Sequence, residues 1–361
     1  MMENSNLNQT GNKQIDNLVS AIQRLLSLVI ILSIVLLLLP FIMVNGDAIK
    51  GMFSSGKKPN QTEQNITSAT DTEAEANLYW KAPDLNTIAD PAQKDLVSYG
   101  KELIAHTSKY LGPKGKVAPI SNGLNCQNCH LDAGTKVFGN NYGSVASTYP
   151  KFRARSGSEE DIYKRVNDCF ERSLNGKPLA ENSKEMQAIK SYIEFLGTNV
   201  PKGQKAEGSG LKDLAFLDRA ADPARGKIVY EEKCKSCHMA NGEGVKLADG
   251  SEYIYPPLWG KHSYNDAAGL YRMSNFAKYV KYNMPLGATH QTPLLSDEEA
   301  WDVSAFVNSQ PRPSKKFPKD WPDISNKPID HPFGSFADTF PESQHKYGPF
   351  KPIQEYYANK K

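Results

Sequence analysis

Charge of one sign, strand-like alternation and long apolar runs are all scarce in this chain of 361 residues. Its 43 basic and 40 acidic side chains leave a formal charge of +3, too mild to recruit a nucleic acid. Nothing calls for a strand-rich sheet, so a mainly α fold is expected. One stretch alone runs 20 residues without charge, Leu25 to Val44, interrupted by Ser27, Ser33 and Pro40, and it is long enough to cross a bilayer. A cleaved leader is the competing reading. Its apolar core would be shorter and Asn45-Gly46-Asp47-Ala48 is a poor cleavage site, so an uncleaved membrane anchor within residues 1–50 is expected. Lys13 and Arg24 before the span, with Lys50, Lys57 and Lys58 after it, give no positive-inside bias.

Cysteine is rare as well, and four of the five residues fall in two copies of one pattern: Cys126-Gln127-Asn128-Cys129-His130 and Cys234-Lys235-Ser236-Cys237-His238. Cys-x-x-Cys-His reads as covalent c-type haem attachment, in which both thiols become thioethers and the adjacent histidine is a proximal iron ligand. Zinc and a redox disulfide are the competing readings. No histidine lies between His130 and His238, so neither copy has a second ligand pair at finger spacing. Two covalently bound haem c groups are expected. Bacterial c-type haems are attached outside the cytoplasmic membrane, which places the bulk of the chain on the periplasmic side of the inner membrane.

The fifth cysteine, Cys169, lies in a segment free of Pro and Gly from Ser158 to Gly176. Ser158 with Glu159, Glu160 and Asp161 suggests a capping box and a helix through that segment. On such a helix Arg165, Cys169 and Ser173 share a face, with Arg172 beside them. Nearby cations favour a thiolate, the form that binds metal. A free cysteine is more often a small buried hydrophobe. Here the only methionine between the two motifs, Met186, has the helical spacing to Ile189 and Ile193 of a core residue, so Cys169 is expected as distal ligand of the first iron.

For the second iron, Met239, His262, Met273, Met284 and His290 are available. Met239 adjoins the proximal ligand, Met273 has core spacing, and the two histidines read as loop residues. Met284, followed by Pro285 and Gly287, can be held on a rigid loop and is the expected ligand. Methionine raises a haem potential, whereas thiolate stabilises ferric iron, so a low-potential site would feed a higher one.

The motifs stand about one small domain apart. Each unit has a helical approach containing Gly-Lys (Gly100-Lys101, Gly226-Lys227), the haem motif, and an aromatic-bearing helix, the second opening on a capping box from Ser296 to Glu299. Two tandem cytochrome c-type domains are expected at 93–205 and 206–311, behind a flexible tether at 51–92. From Pro311 onward nine prolines exclude a long helix. The aromatics Trp321, Phe333, Phe336, Phe340 and Tyr347 suggest instead that an extended tail at 312–361 lies across both domains.

Tyr149-Pro-Lys-Phe-Arg-Ala-Arg155, Arg165-Val-Asn-Asp-Cys169-Phe-Glu-Arg-Ser173, Met284-Pro-Leu-Gly287 and His345-Lys-Tyr-Gly-Pro-Phe-Lys-Pro352 together resemble the dihaem thiosulfate dehydrogenases, over roughly residues 93 to 355. The resemblance implies two cytochrome c domains, His/Cys ligation of the first iron by His130 and Cys169, and His/Met ligation of the second by His238 and Met284. It also implies reversible oxidation of two thiosulfates to tetrathionate, with electrons passed to a soluble or membrane cytochrome. Arginine suits forked binding of oxyanions, so Arg155, Arg165 and either Arg153 or Arg172 are candidates to gather substrate, with Ser173 as a further donor. Some members carry lysine immediately before the second-haem methionine. Here Asn283 stands there, with Lys281 two residues earlier. The rival class is a dihaem electron-transfer cytochrome without substrate chemistry, which needs neither the thiolate nor the arginines.

Overall fold

Two helix crossings organise the chain. A computed structural model describes residues 78–360, together with Leu25, Leu26, Val29 and Ser33. Helix α1 (Pro91–Ala105) starts where the Asp90 carboxylate accepts the Ala92 N–H at 3.1 Å and Pro91 occupies the first turn. A short hairpin follows, β1 (Lys151–Arg153) against β2 (Ser158–Glu160), then α2 (Ile162–Glu171) and α3 (Lys184–Leu196). In the second half come α4 (Pro223–Lys233), the hairpin β3 (Val245–Lys246) and β4 (Tyr253–Tyr255), α5 (Met273–Asn283) and α6 (Asp297–Ser309). The capping box expected at Ser296 is present, with the Glu299 N–H on the Ser296 hydroxyl at 3.1 Å and the Ser296 N–H on the Glu299 carboxylate at 2.8 Å.

Helix α1 packs on α3, and α4 on α6. The repeated Gly-Lys acquires its reason here: a Cβ at Gly100 would overlap the Ala188 carbonyl, and one at Gly226 the Asp302 carbonyl. Only glycine lets the two backbones approach this closely. Around the first crossing Val97, Leu103, Ile189, Tyr192 and Leu196 form one core; around the second, Tyr230, Phe276, Ala300, Trp301 and Val307 form another. Each fully buried large side chain contributes about 1.5–3 kcal/mol. Polar contacts join the two lobes: the Ser108 hydroxyl donates to the Ser251 carbonyl at 2.6 Å, the Asn122 amide to the Ser263 carbonyl at 2.9 Å, and the Tyr279 hydroxyl to the Asn128 carbonyl at 2.6 Å.

Two expectations change, and a third falls largely outside the described residues. The Cys169 helix does not begin at Ser158: residues Ser158–Glu160 pair with Lys151–Arg153, Gly157 turns the hairpin at φ +63°, and Asp161 caps the helix by accepting the Lys164 N–H at 2.8 Å. It also ends at Glu171, so Ser173 lies in the turn beyond it. The tether expected to reach residue 92 is already packed at Trp80. Trp80 is buried, donates to the Asn199 side chain at 2.8 Å, and leaves no room for a Cβ at Gly143. The anchor expected at Leu25 to Val44 lies outside the described residues except for the four named, and among the described residues no helix is long and apolar enough to cross a membrane.

The tail touches both lobes. Asp320 forms a fork with Arg172 of the first lobe, at 2.7 and 2.9 Å. Asp330 accepts from Arg272 Nε at 2.8 Å and from the Ser274 N–H at 3.0 Å in the second. Phe333 stacks on Tyr271 with centroids 5.7 Å apart, and beyond the short helix α7 (Glu342–Tyr347) the second core receives Phe350, at the N-terminal cap of α8 (Lys351–Ala358), and Ile353 within it. Ile353→Ala should therefore cost about 2–5 kcal/mol, read as a lower denaturation midpoint of the holoprotein; an unchanged midpoint would mean the tail is not part of that core.

Burial alone would raise the Asp330 carboxyl, but Arg272 and Ser274 outweigh it and hold it below its ordinary 3.8. A carboxyl depressed in the fold stabilises above its unfolded value and loses that contribution as pH falls through the folded one. Asp330→Asn should thus lower the denaturation midpoint at pH 7, and its difference from wild type should narrow only below about pH 3.8. A difference that narrows at neutral pH would contradict this ion pair.

Candidate active site

The first Cys-x-x-Cys-His begins as a tight turn, Cys126–Asn128, closed by reciprocal bonds between Asn125 and Asn128. Thr107 fixes it to the end of α1: the Cys126 N–H donates to the Thr107 hydroxyl at 3.0 Å. Burial pushes the thiols of Cys126 and Cys129 up to about 12, and that of Cys234 up to about 11. Buried sulfurs of this kind suit neutral thioethers. Among the described residues no cluster of three or more His, Cys, Asp or Glu is arranged for a metal ion.

The two histidines are held alike. His130 Nδ1 meets the Asn140 carbonyl at 2.6 Å and His238 Nδ1 the Pro256 carbonyl at 2.8 Å, which leaves each Nε2 to face a metal. Burial pulls His130 down to about 4 and lowers His238, so both rings are neutral and competent to ligate iron. Cys126, His130 and Cys169 line one cavity whose other walls include Ile104, Val145, Val166, Ile189 and Ile193. Apolar walls, a neutral imidazole and a free thiol on one cavity fit a haem.

Cys169 and His130 also line a second, polar cavity of about 490 Å³. Seven cationic side chains surround it, Arg153, Arg155, Arg165, Arg172, Lys205, Arg272 and Lys278, against the carboxylates Glu160 and Asp168. Cys169 is the leading cause of the upward shift of Arg165, which keeps that guanidinium charged beside the sulfur. Burial, then the neighbouring Arg172, lowers Arg155 to about 10; its Nη1 donates to the Ala267 carbonyl at 3.2 Å and it lies 5.5 Å from the Trp321 ring centroid. Ser173 lines the same cavity from the turn after α2. Arg172 is engaged elsewhere, in its fork with Asp320 and stacked 3.7 Å from the Phe317 ring centroid, so of the expected arginines it reads as structural. Arg272, Asn275 and Lys278 of the second lobe went unforeseen, because no local pattern announces a residue brought in from another domain.

Met284 caps the C-terminus of α5 in an extended conformation, before a cis peptide to Pro285 and a Gly287 at φ +98°. It packs against the second core, as does Cys234. Lys281 is buried, with its ammonium on the Leu295 carbonyl at 2.6 Å and the Asp297 carboxylate at 2.7 Å, and so is committed away from ligation. Of the other candidates, Met273 is core, and His290 packs edge-on to Tyr79 and Phe138 at centroid distances of 5.1 and 5.0 Å.

Residues 116–201 match the family described as SoxA/TsdA, cytochrome c domain, and residues 223–311 match cytochrome c. A thiosulfate dehydrogenase of Psychrobacter arcticus is 40% identical over 245 residues, 67% of this chain and 71% of that one. That of Stutzerimonas stutzeri is 35% identical, covering 65% of this chain and 73% of its own. That of Allochromatium vinosum is 38% identical, covering 59% and 79%. Among solved structures, the thiosulfate dehydrogenase (TsdBA) of Marichromatium purpuratum in its "as isolated" form matches with a TM-score of 0.63 at 28% identity over 74% of this chain. The present chain spans 55% of that one. With two cytochrome c domains and these relatives, the chain belongs to the dihaem thiosulfate dehydrogenase family.

Proposed function

We propose that this protein oxidises two thiosulfates to tetrathionate at Cys169, reversibly, and passes the electrons to an external cytochrome. The observation that carries the reading is one cysteine outside the haem motifs, Cys169, shared by a largely apolar cavity beside the first motif and a cationic one. A pure electron carrier has no use for the second. In this reading Cys126 and Cys129 tether the first haem and His130 and Cys169 ligate it; Cys234, Cys237, His238 and Met284 do the same for the second. When bound, the haems supply the one-electron acceptors, at potentials set by their axial ligands.

The substrate poses an electrostatic problem first. Two unit charges 4 Å apart repel by about 4 kcal/mol at an effective dielectric constant of about 20, and two dianions repel several-fold more. Arg155 and Arg165 offset this by forked bonds to the sulfonate oxygens, and Ser173 adds a donor. Cys169 serves in two capacities, ligand at rest and sulfur nucleophile in turnover. Its Sγ forms a bond with the outer sulfur of one thiosulfate as two electrons leave. The outer sulfur of a second thiosulfate then attacks that bound sulfur, the bond to Cys169 breaks, and thiolate and tetrathionate separate, as in thiol–disulfide exchange. No proton enters the balance. In the reverse direction the thiolate attacks tetrathionate, and two electrons release the remaining thiosulfate.

The location follows from the chemistry of attachment: haem is coupled to such motifs outside the cytoplasmic membrane, with Leu25 to Val44 proposed as the tether to it. Cys169→Gly should abolish ferricyanide-linked thiosulfate oxidation while a denaturing gel stained for haem shows both groups still attached. Turnover at the wild-type rate would reject the catalytic role. Arg165→Gln, which removes a charge-assisted bond of about 1.5–3 kcal/mol, should lower kcat/KM for thiosulfate roughly 10- to 100-fold; an unchanged kcat/KM would remove Arg165 from the site.

A further inference from the structure

The cationic cavity has two banks. On the first lobe stand Arg153, Arg155 and Arg165 with Cys169; on the second stand Arg272, Asn275 and Lys278. Those three recur every third residue at the start of α5, so they present one face of that helix to the cavity. We infer that this second bank is a separate oxyanion subsite, holding the second thiosulfate and, in the reverse direction, the far sulfonate of tetrathionate. The inference rests on the thiosulfate reading above and assigns to these residues the half of the reaction that reading leaves unplaced.

Three features favour it. Attack of a thiosulfate dianion on a Cys169-bound sulfur that already carries a sulfonate needs cations on both sides of the forming bond, because a single cluster would hold both anionic groups on the same side. Arg272 is oriented from behind: its Nε and Nη2 donate to one oxygen of Asp330, at 2.8 and 2.5 Å, and Asp330 is itself buried and also bound to Ser274. This leaves Nη1 clear of the pair, and the planar guanidinium held in one direction. Lys278 is paired at 2.7 Å with Asp213, a carboxylate 95% exposed, and an exposed pair of this kind yields readily to an incoming dianion. Asp330 is then a positioning residue supplied by the tail.

The test separates capture from discharge in the full-length holoprotein. With ferricyanide and substoichiometric thiosulfate, intact-mass spectrometry reads formation of the Cys169–thiosulfate adduct; adding excess thiosulfate then reads its loss. Arg272→Gln should form the adduct at the wild-type rate and discharge it at least tenfold more slowly. Lys278→Gln, which leaves the Asp330 pair intact and serves if Arg272→Gln does not fold, should slow discharge about threefold without slowing capture. Asp330→Asn should raise KM for thiosulfate while kcat at saturation falls less than twofold, the split expected of a residue that orients another. Wild-type discharge in both Arg272→Gln and Lys278→Gln, or capture slowed as much as discharge, would overturn the second subsite. Absence of any adduct in the wild-type protein would instead overturn the Cys169 reading, and the subsite with it.

Discussion

Seven cations around one cavity repel one another, and much of the structure answers that repulsion. The cost is visible at Arg155, whose guanidinium is lowered to about 10 by burial and by Arg172. Two carboxylates within the wall offset part of it, and the tail supplies two more from outside, Asp320 to Arg172 and Asp330 to Arg272. Pairing from behind keeps each guanidinium in place without covering the cavity. A Pro-rich tail suits this work: a chain fixed in φ at many positions has less freedom to lose on docking, so it can run extended across two lobes at modest entropic cost.

The same crossing built twice carries two different sites. Gly100 against Ala188 and Gly226 against Asp302 set the same close approach, and both proximal histidines give Nδ1 to a backbone carbonyl. What differs is what faces them. In the first lobe a hairpin replaces the first turn of the expected helix, and brings Arg153 and Glu160 to the wall shared with Cys169. In the second lobe α5 ends at Met284, which packs against the apolar core. The two lobes share a scaffold around their haem motifs, and the cationic wall stands beside the first.

Local patterns were legible and long-range ones were not. The haem motifs, the Gly-Lys pairs, the box at Ser296 and the core spacing of Met186 each depend on residues within a few positions of one another, and each is present in the fold. Ser158 carried an equally good capping signal, but Gly157 offers a hairpin turn and the strand pairing with Lys151–Arg153 prevailed, moving the cap to Asp161. Trp80 looked like part of a polar tether because its partners, Asn199 and Gly143, lie far along the chain. Arg272 and Asp330 belong to the same class. Their meaning comes from a cavity that exists only once the lobes meet.

Helix α5 draws these threads into one element. Its start carries Arg272, Asn275 and Lys278 at the cavity; its middle carries Tyr279, whose hydroxyl bonds the Asn128 carbonyl inside the first haem motif; its end carries Asn283, whose amide bonds the Phe138 carbonyl at 3.2 Å, and then Met284. A helix transmits position along its axis because each turn is bonded to the next. The cations that face Cys169 and the methionine expected at the second iron are thus fixed to one rigid rod, and that rod is pinned to the first motif at its centre. Any displacement of the lobes that opened the cationic cavity would also disturb the Tyr279 bond and the seat of Met284. The cationic cavity and the spacing of the two haem motifs are therefore held by the same contacts.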